Sequence, residues 1–408
     1  MVIDTYGDAY PELVQNRATI EATITEEEKS FDTMLDRGIK FFKELEGELK
    51  ASDSSQISGQ KAFFMYDTLG FPVDLTELMA EESGLTVDSK GFVSEMEAQK
   101  TRSREARFKS KAGGDGEAAF ERLVFIAEQT SWLGDKEIAP TIDDAKYELD
   151  TEPDATIKAI FTSNGFVEEQ MTVKQGDTVG IILDKSSFYA EAGGQEADLG
   201  VLTVDGKNLQ VKDVQAYGGY LLHSCIVTSG DVTIDVEKAI TCKVDYERRR
   251  NVTPNHTMTH VLNSALREVL GDGVEQRGSL CNDEKLRFDF SHNKAMKAKQ
   301  VARTEQIVRD VISSAIEVKD KVMPLEEAKK IEGVRAVFGE VYPDPVRVVS
   351  VGTDTSVEFC GGTHISNTDE AEAFVLVEET AVAKGIRRIT GVTKGLAKKA
   401  IADGKYFL

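Results

Sequence analysis

The sequence predicts an α+β multidomain protein, with an N-terminal helical region, then a small β-barrel, then a mixed α/β domain. Three observations carry this. Apolar residues recur at helical spacing before residue 110, short β-branched runs between glycine turns fill about 146–244, and helical and strand patterns then intermix. At 408 residues, 40% hydrophobic and 29% charged, the chain exceeds one ordinary core and divides into two to four domains.

In the helical region, 1–112, Phe31, Met34, Leu35, Ile39, Phe42, Leu45 and Leu49 mark one face of a helix expected from Ile20 to about Leu49. A polar break, Ser52 to Gly59, follows. The Gly70-Phe-Pro72 turn precedes a helix around Leu75 to Glu82, and another is expected from Val93 to Phe108. The glycine-rich stretch Ala112 to Glu117 opens an expected linker, 113–145. The barrel, 146–248, is read from the runs Thr178 to Leu183, Val201 to Val204, Leu209 to Val214 and Thr233 to Val236. The third domain, 249–395, is expected to open with a helix capped by Asn255 and ended by Gly271 and Gly273, with a second helix from Val301 to Ile316. Strand-like runs Val346 to Val351 and Ala373 to Val377 complete it, and 396–408 begins a connecting helix.

No apolar run reaches the length of a membrane span, and Met1 to Pro11 is acidic without a secretory core, so a cytoplasmic location is expected. The scattered Cys225, Cys242, Cys281 and Cys360 suit free thiols in a reducing compartment. With 49 basic against 71 acidic residues the net charge is -22, which argues against indiscriminate phosphate-backbone binding and against DNA. A nucleic-acid partner would need local basic patches. The candidates are Arg102, Arg104, Arg107, Lys109 and Lys111; Arg248, Arg249 and Arg250; and Lys384, Arg387 and Arg388, each more readily read as a solvated charged face.

His256 and His260, four apart on a predicted helix, project from one face, a spacing that suits two ligands of one metal. Thr257 stands where a zinc peptidase would need its glutamate. Cys360 and His364 form a second pair around two glycines, hence on a tight turn. Three of the five histidines and one of four cysteines thus fall in two pairs of the ligand types zinc prefers. His223, His292 and the other three cysteines read as structural or surface residues. The segment Phe188-Tyr-Ala-Glu-Ala-Gly-Gly-Gln195, with Asp198 and Gly200, reads either as backbone approaching a ligand or as a glycine turn between strands.

Taken together, Tyr66-Asp-Thr-Leu-Gly-Phe-Pro-Val-Asp-Leu-Thr76, Asn255-His-Thr-Met-Thr-His260, Gln276-Arg-Gly-Ser279, Leu286-Arg-Phe-Asp-Phe290, Val346-Arg-Val-Val349, Glu358-Phe-Cys-Gly-Gly-Thr-His364 and Gly385-Ile-Arg-Arg-Ile389 resemble the alanyl-tRNA synthetase family. The likeness is to its editing domain and the helical region before it, and Tyr342-Pro-Asp-Pro345 and Phe188-Tyr-Ala-Glu191 resemble its eukaryotic branch. The resemblance implies zinc at His256, His260, Cys360 and His364, with Thr259, Gln276 and Cys360 acting on the ester that joins serine or glycine to the terminal ribose of tRNA(Ala). It implies substrate contacts at Gly193, Gly194, Gln195, Arg387 and Arg388, and Asp74 as reader of a wobble pair in the acceptor stem. Zinc satisfied by four side chains would shape the pocket, with Gln276 and Thr259 holding the substrate and a backbone nest near Cys360 stabilising charge, which is the favoured reading; were one ligand to yield, zinc would instead polarise the ester or a water.

Departures from the family pattern are Ala192, Ala197, Val341 and Lys394. Nothing resembles the class II aminoacylation motifs, so the chain is expected not to charge tRNA, and its end at Leu408 reads as that of a fragment or reduced paralogue whose partners include other parts of the synthetase. Three rivals are a non-catalytic, zinc-stabilised tRNA-binding module, a zinc peptidase, and the editing domain of threonyl-tRNA synthetase. The last lacks the helical region ending in Gly-Phe-Pro-Val-Asp74.

Overall fold

The computed structural model describes residues 2–52, 54–111, 120, 122–228, 230–336, 342–353, 355–383 and 385–406. Val341, Lys384, the glycine-rich stretch Ala112 to Glu117 and the side chains of Arg104, Arg107, Lys109 and Lys111 lie outside the described residues. The chain divides into two compact units, Met1–Glu117 and Ala118–Leu408. No helix among the described residues is long and apolar enough to cross a membrane.

The first unit is helical. Arg17–Ala51 carries the expected apolar face, and Phe42 and Leu45 are buried with Ile57, Met65, Phe71 and Phe92. Ser58 caps the helix Gly59–Asp67 by accepting the Lys61 N–H. The Gly-Phe-Pro turn leads into Val73–Glu82, with Asp74 exposed in its first turn, where a carboxylate meets the positive end of the helix dipole. Ser89–Lys111 closes the unit.

The second unit begins where a linker was expected. Residues Leu123, Phe125 and Leu133 are buried with Phe161 and Leu222 of the barrel, and Trp132 of the helix Ala127–Asp135 stacks on Phe166 at 4.0 Å. Leu123 and Phe125 cover the barrel's outer side there, so the expected linker ends well before residue 145. The barrel itself closes through six strands, with Asp154–Thr162 pairing in turn with Thr178–Leu183, then Tyr220–Val227, Lys207–Tyr217, Gly200–Val204 and Ala239–Val244, which pairs back onto the first. Closure leaves no free edge and encloses Ile157, Ile181, Val211, Cys225 and Cys242.

The barrel's last strand runs straight into the helix Tyr246–Leu270, capped by Asp245, which accepts the Arg248 N–H at 2.9 Å. This corrects the expected start at Asn255. The helix continues through Pro254, which has no N–H to donate, and the Arg250 carbonyl four residues back takes a hydrogen bond from Lys394 Nζ instead. Asn255 bridges rather than caps: its amide donates to the Asn282 carbonyl and accepts from the Thr393 hydroxyl. Lys394 sits at φ +51, in the left-handed region that favours glycine.

The helix packs with Ala298–Ser313 against a four-stranded antiparallel sheet in the order Gln276–Cys281, Leu286–Ser291, Ile386–Thr393, Phe374–Ala383. Leu262, Leu266, Phe288, Phe290 and Ile389 form that core. A smaller sheet, Val318–Met323, Val346–Val351 and Ser356–Phe359, delivers the chain to Cys360.

Candidate metal centre

On the buried stretch of the long helix, His256 and His260 face the turn that follows the strand Ser356–Phe359. The ligating atoms of His256, His260, Cys360 and His364 all lie within 4.8 Å of one another, so the two spaced pairs meet as one cluster able to hold a metal ion. Cys360 Sγ is 3.4 Å from His256 Nε2 and 3.3 Å from His364 Nε2.

Each imidazole is aimed by a contact at its other nitrogen. His256 Nδ1 is 2.7 Å from Gln195 Oε1, His260 Nδ1 is 2.7 Å from Glu358 Oε2, and His364 Nδ1 is 3.1 Å from the Thr257 hydroxyl. Such contacts fix the tautomer, leaving the Nε2 lone pairs for a shared ion. Gly362 is required beside them, since a Cβ there would fall 2.0 Å from His256 Cε1.

The electrostatics suit a thiolate. Burial opposes ionisation of Cys360, but the surrounding His256, His364 and His260 outweigh it and hold the thiol well below the ordinary cysteine range. Burial likewise opposes charge on His260, yet Glu358 and Cys360 raise it well above the usual histidine value, so a metal ion bound there would displace the Nε2 proton. Desolvation holds His364 down at about 3, so its imidazole stays neutral, as a ligand must. One thiolate and three imidazoles, buried and oriented, fit a zinc ion by donor chemistry.

The cluster forms part of the wall of a cleft of about 770 Å³, into which Thr259, Gln276, Cys360, Gly193 and Gly194 also face. Thr259 donates to the Asn255 carbonyl at 2.8 Å, and Gln276 Nε2 donates to Ser279 Oγ at 3.2 Å. Gly194, at φ +86, passes so close to Ser279 that a Cβ would lie 2.4 Å from its hydroxyl.

Three expected substrate contacts are placed otherwise. Gln195 is wholly buried behind the metal cluster, where its Oε1 also accepts the Thr363 N–H at 3.0 Å and its Nε2 donates to the Thr363 hydroxyl at 2.9 Å. Arg388 is held in a two-bond pair with Asp289 at 2.7 Å, its partner across the strand ladder, and Arg387 pairs with Glu379; neither lines the cleft. The Arg248–Arg250 patch is also spent internally, on Glu196 and Asp283, on Asp198, and on Asp150. Asp74 belongs to the first unit.

The sequence reading missed Thr257, Glu358, Tyr147 and Arg347 as supports of the cluster. For Glu358 a signal existed, since strand alternation places it on the face of Cys360. His223 is structural as expected, with Nδ1 on the Ile181 carbonyl at 3.0 Å and Nε2 on Ser186 at 2.8 Å.

A family model described as tRNA synthetases class II (A) matches residues 1–248, and one described as threonyl and alanyl tRNA synthetase second additional domain matches residues 346–390. The alanine–tRNA ligase of Schizosaccharomyces pombe is 40% identical over 98% of this chain and 42% of its own length. The mitochondrial alanine–tRNA ligase of Saccharomyces cerevisiae is 41% identical over 96% of this chain and 40% of its own length. For the Nostoc punctiforme alanine–tRNA ligase the figures are 40% identity, 94% and 41%. The chain therefore spans about two fifths of the length of these relatives, and overall identity does not separate a eukaryotic from a bacterial branch.

Proposed function

The chain belongs to the alanyl-tRNA synthetase family of class II tRNA synthetases, and from that premise we propose that it is an editing hydrolase, which cleaves serine or glycine from wrongly charged tRNA(Ala). The carrying observation is the convergence of Thr259 and Gln276 with Cys360 in one cleft of about 770 Å³, a size that suits an amino acid esterified to a terminal nucleoside. Four protein donors close the proposed zinc site, and bound zinc would lock the helix to the Cys360–His364 turn and lend positive charge to the cleft wall. Around it, Gln276 and Thr259 hold the aminoacyl group, Gly193 and Gly194 offer close backbone, and the cleft orders the attacking water.

Charging chemistry is proposed to lie outside this chain. In support, the described residues of the stretch matched by the class II model form the helical unit, the helix Ala127–Asp135 and the closed barrel. The helical unit is proposed to meet the acceptor stem, with Asp74 exposed at a helix start for that role. Hydrolysis of Ser-tRNA(Ala), Gly-tRNA(Ala) and Ala-tRNA(Ala), measured side by side, tests the reading. Faster release from the first two supports it, whereas bound zinc with no turnover of any would leave a tRNA-binding module.

A further inference from the structure

The turn Cys360–His364 presents its two sides to different clefts. Cys360, Gly361 and Gly362 line the first; Thr363 and His364 line a second, of about 420 Å³, together with Tyr147 and Arg347. On that second side, Arg347 Nη1 donates to the carbonyls of Cys360 at 3.0 Å and Gly362 at 2.7 Å, and the Tyr147 hydroxyl donates to the carbonyl of Gly361 at 3.1 Å. The guanidinium lies over the Tyr147 ring, 4.1 Å from its centroid, and its Nε donates to Asp320 at 3.1 Å.

Three consecutive carbonyls are thus drawn to one side. In a trans peptide the N–H points opposite to the carbonyl before it, so the N–H groups of Gly361, Gly362 and Thr363 face the other way. Two are committed, Gly362 to Cys360 Sγ at 3.4 Å and Thr363 to Gln195 at 3.0 Å. The Gly361 N–H has no acceptor among the described residues, and Gly361 is exposed to the first cleft.

We propose that Arg347 and Tyr147 are positioning residues, which turn the Gly361 N–H into the cleft as the donor for the oxyanion of ester hydrolysis; the inference rests on the editing reading above. Attack forms a bond from the water oxygen to the ester carbonyl carbon while the π pair moves onto the carbonyl oxygen, beside the Gly361 N–H. Collapse restores the carbonyl and breaks the bond to the ribose oxygen, which takes one proton of the water; the other leaves the carboxyl group for solvent. One aimed donor contributes roughly 10²–10³ in kcat in comparable acyl transfers. Arg347 and Tyr147 do not line the first cleft, so their effect passes through the backbone.

The test is steady-state hydrolysis of Ser-tRNA(Ala) by the full, zinc-loaded chain, with zinc stoichiometry measured on the same samples. Gly361→Pro, which deletes the N–H, is expected to lower kcat about a hundredfold with KM nearly unchanged and zinc retained. Gly361→Ala, whose Cβ enters open space, is expected to keep at least about tenfold more kcat than Gly361→Pro, and Arg347→Gln to lose about tenfold without losing zinc. Zinc-loaded Gly361→Pro and Arg347→Gln with the kcat of the parent chain would overturn the inference, as would Arg347→Gln losing zinc in step with kcat. A parent chain that holds zinc and hydrolyses nothing overturns the editing reading itself, a different and separately visible result.

Discussion

Gln195 Oε1 and His256 Nδ1 lie 2.7 Å apart, joining the glycine-rich loop beside the barrel to a metal ligand on the long helix. Because the same oxygen accepts the Thr363 N–H, the amide is oriented with its oxygen toward His256, and Nδ1 must carry the hydrogen. One side chain therefore sets the tautomer of one ligand and fixes the turn that bears two others. Replacing Gln195 with Leu is expected to weaken zinc binding ten- to a hundredfold, in proportion to other lost ligand supports. Competition against a chromophoric chelator measures it, and an unchanged zinc affinity would dismiss the role.

Metal removal is expected to act on one unit alone. Zinc at about a thousandfold over its Kd stabilises the folded state by about 4 kcal/mol, and all four ligands lie in Ala118–Leu408. Calorimetry with and without a chelator should lower the melting of that unit and leave the helical unit's transition in place. Cys360→Ser should erase the difference, and a chelator-sensitive helical transition would contradict the assignment.

Arg249 and Asp198, 1% and 2% exposed, form the most buried ion pair described, and the guanidinium also donates to the carbonyls of Lys146, Glu148 and Ser187. The pair ties the start of the long helix to the loop after Gln195. Truncating Asp198 to Ala strands a buried cation, a loss of about 3–5 kcal/mol. Urea denaturation reads it as a lower midpoint, and a change under 1 kcal/mol, as for an exposed pair, would show the arginine rehydrated.

Local periodicity made the helices and barrel strands legible, and paired spacing found all four members of the cluster. The first nine residues of the long helix, Tyr246 to Pro254, were not legible from Asn255 as a cap: proline lacks the N–H that a helix interior uses, and only a lysine distant in sequence, Lys394, answers the freed Arg250 carbonyl. Arg248, Arg249 and Arg388 looked available because their acidic partners Glu196, Asp198 and Asp289 are remote in the chain. Gln195 lay in a motif already noticed, but its burial depends on a contact with Thr363 across 168 residues, which no spacing rule encodes.

The barrel carries its own pH response. His223 is buried and its pKa is pushed down to about 4, so the unfolded chain binds a proton near pH 6.5 that the folded chain refuses until about pH 4. Stability is therefore full above pH 6.5 and declines as the pH falls to 4, by about 3 kcal/mol from this residue. His223→Leu, compared with the parent by denaturation at pH 7 and pH 4.5, should be weaker at neutral pH but show a smaller acid loss. Equal acid losses in both would move the cause elsewhere.

Gln276 and Cys360 share one cleft but should fail differently. Gln276 reaches only Ser279 in the described hydrogen bonds, so Gln276→Leu leaves the metal cluster intact and removes a polar contact to the aminoacyl group. A lost polar contact to substrate is worth about 1–3 kcal/mol, or about ten- to a hundredfold in kcat/KM for Ser-tRNA(Ala), with zinc unchanged. Cys360→Ala removes the only thiolate and should lose zinc and turnover together. The discriminating result is the pairing of the two assays. If Gln276→Leu also released zinc, its side chain would belong to the fold of the metal site; if Cys360→Ala kept full turnover without zinc, the ion would have no part in holding the pocket.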